Sequence, residues 1–107
     1  MEVLYGEGWY IEGAKKVRGK IILGEYKLYL KGTQGELTET YIPLDKIKYL
    51  RKTFKGIELG VRVSPTISYW SVLMGDRNNL SELVREIVKR RNFKKKFLRQ
   101  TWTEKEG

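Results

Sequence analysis

Residues 56–63 read GIELGVRV, in which Ile57, Leu59, Val61 and Val63 alternate with Glu58, Gly60 and Arg62. That two-residue period belongs to a strand with one buried face. The following run, TISYWSVLM at 66–74, is apolar on both faces, which predicts a strand covered on two sides. Toward the N-terminus, Tyr26, Leu28 and Leu30 alternate with Lys27, Tyr29 and Lys31. The segment VRGKIILG at 17–24 joins that strand through Gly24-Glu25, predicted as a tight hairpin whose glycine takes positive φ. Residues 2–12 form a less regular strand interrupted by Gly6 and Gly8, as a bulge or turn would interrupt it. Gly32 to Gly35 reads as a hairpin tip before a strand around Thr40–Leu44. There Pro43 lacks an amide donor and belongs at an edge or bulge.

The last element changes period. Leu80, Leu83, Val84, Ile87 and Val88 make one apolar stripe at helical spacing. Asn79 followed by Glu82 predicts a helix starting there, with acid in its first turn and base in its last turns to suit the helix dipole. Asn92 ends it, or it continues through Phe97 and Leu98. The chain therefore reads as mainly β with one C-terminal helix: six or seven antiparallel strands in a closed or two-sheet arrangement, plugged at one end by the helix. Residues 1–91 form the domain, with the helix from about 79, and residues 92–107 form a basic extension or tail.

The runs GKIILGEYKLYLKG at 19–32, YIPLDKIKYL at 41–50 and GIELGVRV, followed by a final helix, resemble the pleckstrin-homology superfamily, particularly its GRAM-type members. The resemblance covers about residues 17–91 and includes an I-P-L-x-x-I strand at Ile42, Pro43, Leu44 and Ile47. It implies a pleckstrin-homology-like antiparallel barrel or sandwich. Within the superfamily, the chain also resembles the N-terminal domain of the archaeal chemotaxis adaptor family CheF. That likeness implies an adaptor coupling a chemotaxis response regulator to the archaellum motor, and it transfers no functional residue. Superfamily members that bind inositol lipids carry a basic cluster in the first hairpin. Here Lys15, Lys16, Arg18 and Lys20 stand near that place, diluted by Gly19 and Glu25.

Composition narrows the chemistry. The 107 residues include no cysteine and no histidine, which removes disulfides, the usual structural zinc sites and the commonest general acid/base. The carboxylates Glu2, Glu7, Glu12, Glu25, Glu36, Glu39, Asp45, Glu58 and Asp76 are scattered without the spacing of an acid/base pair or a metal cage. The expectation is a non-enzymatic module with no cofactor. No apolar run approaches the ~20 residues of a membrane span, and the N-terminus lacks the plan of a secretion signal, so a cytoplasmic location is expected.

The net charge of +9 is uneven. Residues 1–50 hold eight basic and seven acidic side chains, whereas residues 85–99 hold eight basic residues against Glu86 alone. The candidate partner-binding residues are Arg85, Lys89, Arg90, Arg91, Lys94, Lys95, Lys96 and Arg99, interleaved with Phe93, Phe97, Leu98 and Trp102. Trp70 joins them: Tyr69 and Trp70 point to opposite faces of one strand, so one of the two is left as an exposed aromatic contact of the kind protein interfaces favour. A protein partner is the leading expectation. The alternative is a basic module binding nucleic acid or an anionic membrane surface through residues 85–99.

Overall fold

The computed structural model describes residues 1–32, 40–96 and 100–105. Nine strands and one long helix follow in the order β1 (Val3–Glu12), β2 (Lys15–Leu23), β3 (Lys27–Gly32), β4 (Thr40–Pro43), a 3-10 turn (Leu44–Lys46), β5 (Ile47–Lys52), β6 (Ile57–Ser64), β7 (Ile67–Gly75), α1 (Arg77–Arg91), β8 (Lys94–Lys95) and β9 (Thr101–Thr103). All pair antiparallel in one sheet of order β4-β3-β2-β1-β7-β6-β5-β9-β8. Mainly β with one helix near the C-terminus is thus the observed class.

Two features of the expected barrel are corrected. Among the described residues the sheet has nine strands rather than six or seven, and it is not closed. The extra pair, β8 and β9, comes from the segment read as a tail. They are two and three residues long, too short for alternation to register. The sheet's two end strands are β4 and β8: β4 and β5, consecutive in the chain, are not neighbours, and β9 occupies the edge of β5 that β6 leaves open. β4 is a four-residue edge strand ending in Pro43, and the 3-10 turn interposes before β5 begins.

Alternation fixes which side of the sheet is buried. Tyr10, Ile21, Leu23, Leu28, Leu30, Leu50, Leu59 and Leu73 point inward and join Leu80, Leu83, Val84 and Ile87 of α1 in a single core cluster. The helix packs against β1, β5, β7 and the 3-10 turn. It begins earlier than expected. Asp76, not Asn79, is the N-cap, and its side chain accepts from the Asn79 amide at 3.0 Å. Glu82 consequently falls beyond the first turn, which carries no acid. Asn92 ends the helix in the left-handed conformation, φ 53°, and Phe93 then turns back into the core.

Three glycine expectations resolve differently. Gly6, at φ 81°, sits where the β1–β2 register shifts between Leu4 and Glu7, the predicted bulge. Gly24 closes its turn by donating to the Lys27 carbonyl at 2.8 Å, without the positive φ expected of it. The hairpin tip expected at Gly32–Gly35 lies, apart from Gly32, outside the described residues, as do Glu36, Glu39, Phe97, Leu98 and Arg99.

Candidate protein-binding faces

The outer side of the central strands carries an apolar band. Across the β1–β7 ladder, Trp9 stands opposite Met74 and Ile11 opposite Val72; across β7–β6–β5, Trp70 stands opposite Gly60 and Gly60 opposite Tyr49. Their inward neighbours Tyr10, Leu73, Ser71, Leu59 and Leu50 are buried, so the band points away from the core and from α1. The reading of residues 66–74 as covered on two sides is therefore corrected. β7 is central in the sheet and buries only its inner face, leaving Trp70 59% exposed and Val72 and Met74 half-buried. Among the described residues no element packs over this band.

Trp70 is held rather than loose. Its ring makes an edge-on contact with Tyr49, centroids 4.9 Å apart at 84°. A Cβ added at Gly60 would lie 2.9 Å from Tyr49 and 3.3 Å from the Trp70 ring, so the glycine is what lets the indole lie across β6. Beside it lies a groove of about 310 Å³ lined by Tyr49, Val61, Arg62, Ser68 and Tyr69. The rim is cationic. Lys16 and Arg18 lie 4.5 and 5.5 Å from the Trp9 ring, and Arg62 is exposed. Among the described residues two acids share this face: Glu58 is engaged by both of its oxygens with Arg51, at 2.7 and 2.8 Å, and exposed Glu7 stands two residues from Trp9, opposite Lys20.

The basic residues predicted as partner contacts divide into two groups. Arg90 donates to the Gly24 carbonyl at 2.6 Å and pairs with Glu86. Arg91 donates to the Ile47 carbonyl at 3.2 Å and pairs with Glu104 at 2.6 Å. These two arginines tie the helix end to the β2–β3 turn and to β5, and their charge is spent inside the chain. Lys48 and Arg91 together hold the Glu104 carboxyl below its ordinary range, Lys48 contributing most. Arg85, Lys89, Lys94, Lys95 and Lys96 remain exposed, and Arg99 lies outside the described residues. Among the described residues no three carboxylates converge as a metal site, and no helix is long and apolar enough to cross a membrane.

The exposure of Trp70 is legible in the strand alternation, but the band around it is not. The signal for it is the double-faced apolar run of β7, a pattern that a strand covered on two sides shares. Comparison with protein-family models, curated proteins and solved structures finds no match for this chain.

Proposed function

We propose that this chain is a non-catalytic, protein-binding adaptor module of pleckstrin-homology-like build, docking its partner on the outer face of β1, β7, β6 and β5. The observation that carries the reading is Trp70, an exposed indole fixed over Gly60 against Tyr49, at the centre of an apolar band with a cationic rim. Ordered aromatics in such settings are the usual anchors of protein interfaces. The rim selects an acidic partner, and a second copy of this chain would bring like charge against like. The build is supported by the order of the first seven strands, two meanders (β1–β4 and β5–β7) joined where β1 pairs with β7, followed directly by a core-packed helix. The resemblance to CheF proposes an acidic response regulator as the partner, coupled through this module to the archaellum motor.

The alternative, a basic module for nucleic acid or an anionic membrane, draws on exposed Arg85, Lys89 and Lys94–Lys96. It is weakened by the internal use of Arg90 and Arg91. The test is affinity capture from a lysate of the source organism at physiological salt, with and without nuclease, using wild type and Trp70→Ala. A discrete protein that survives nuclease and is lost on Trp70→Ala is expected. Material that vanishes with nuclease, or that binds both forms equally, defeats the proposal. Trp70→Ala itself should change the melting temperature little, because the ring is mostly solvent-exposed.

A further inference from the structure

The returning strand β9 creates a second concave surface, on the opposite side of β5 from Trp70. Trp102 pairs with inward-facing Leu50, whereas Tyr49 points outward. Trp102, half-buried, packs against the core beside α1. Between β9 and the helix lies a cleft of about 270 Å³ with Val84, Val88 and Trp102 as its apolar lining and Lys52, Ser81 and Arg85 along its wall. No carboxylate is among its described lining residues. Lys52 Nζ donates to the neutral Ser81 hydroxyl at 2.7 Å, so its charge is not cancelled there, and Arg85 is exposed with no described partner. Lys95 stands 6.0 Å from the Trp102 ring. The acids of α1 are turned elsewhere: Glu86 holds Arg90, which reaches the β2–β3 turn, and both Glu82 and Glu86 act electrostatically on the Tyr5 hydroxyl of β1. Helix periodicity agrees, since positions 81, 84, 85 and 88 share one flank while 82 and 86 fall on the other.

We infer that the α1–β9 cleft is a second docking site, for an acidic amphipathic peptide segment. An apolar side chain of that segment rests on Val84, Val88 and Trp102, and its carboxylates meet Arg85 and Lys52. Charge complementarity chooses this occupant: the cleft offers an apolar floor under uncancelled cations. The module then has two faces, one on each side of β5, and each can be removed separately. The site stands beside the outer-face reading and does not depend on it.

The probe is an end-blocked amphipathic peptide of leucine and glutamate, titrated into the isotope-labelled full chain and followed by NMR. Shifts are expected at the amides of Ser81, Arg85 and Val88 and at the Trp102 indole. Arg85→Glu, an exposed change whose folding the same spectra report, should weaken binding by about tenfold or more. Lys95→Glu should weaken it less, and Trp70→Ala should leave it within about twofold. An end-blocked peptide of glutamate alone should bind at least about tenfold more weakly, because it lacks the apolar contact. The inference is overturned if shifts appear instead around Trp9 and Trp70, or if Arg85→Glu has no effect. Equal binding by polyglutamate or by oligothymidylate at the same residues would also overturn it, since the cleft would then be reading charge alone.

Discussion

Tyr10 is buried to 1% exposure, and its hydroxyl donates to Glu12 Oε1 at 2.7 Å. Burial is the main cause that pushes its ionisation far above the ordinary tyrosine range, with the Glu12 bond adding to it. Tyr5 and Tyr69 are shifted the same way, again first by burial. The sign of the consequence is fixed. Below about pH 10 the folded and unfolded chains carry these phenols equally protonated. Above it the unfolded chain releases protons that the folded chain retains, so stability falls as pH rises. The urea midpoint is therefore expected to drop above about pH 10, and to drop less steeply in Tyr10→Phe than in wild type. Equal slopes for the two proteins would remove Tyr10 from the account. Gly60 makes a different point at this scale. A residue with no side chain decides where the largest exposed ring on the outer face lies.

Among the elements, α1 illustrates how local chemistry competes. Asp76 and Asn79 both precede apolar residues at suitable spacing, and both are good capping types. Asp76 prevails: the first helical bond, from the Leu80 amide to the Asp76 carbonyl at 2.9 Å, starts the helix there. Asp76→Ala is thus expected to cost about 1 kcal/mol in chemical denaturation. Asn79→Ala, which removes no capping acceptor, should cost less. The reverse order of effects would return the N-cap to Asn79. The β8–β9 pair shows the opposite situation, in which local sequence says almost nothing. Thr101–Thr103 becomes a strand because β5 offers a free edge to pair with. Buried Phe93 and half-buried Trp102 supply the apolar contact that holds the returning segment in place.

For the whole molecule, the charge of +9 is not felt as one field. The smallest dimension is 28 Å, and the screening length at physiological salt is about 8 Å, so only local clusters act on a partner. A protein docked on Trp70 and the apolar band should therefore associate more slowly as salt rises yet remain bound at physiological ionic strength. Titrations from low to physiological salt read this directly. A log–log slope as steep as several released counterions would identify a polyanion tether through Lys94–Lys96 instead.

By itself the sequence determined the class of the fold, because alternation along residues 57–61 and helical spacing along 80–88 are local facts that core burial enforces. Val63, read with the buried set, is exposed where the register shifts between Arg62 and Ser64. It also determined that Trp70 and Tyr69 part company across the sheet, since successive strand residues must face opposite ways. Only the tertiary structure decided that the outer face of β7 stays uncovered. Both faces of that strand are apolar, and composition cannot say which of them an element will cover. Nor could the sequence separate Arg90 and Arg91, drawn inward by the carbonyls of Gly24 and Ile47, from Arg85, five residues before Arg90. The residue types are the same, and their roles differ because only the folded chain brings those acceptors within reach. The return of residues 101–103 onto β5 belongs to the same class of decision. It pairs positions about fifty apart in sequence, and no periodicity within so short a strand records the partner it meets.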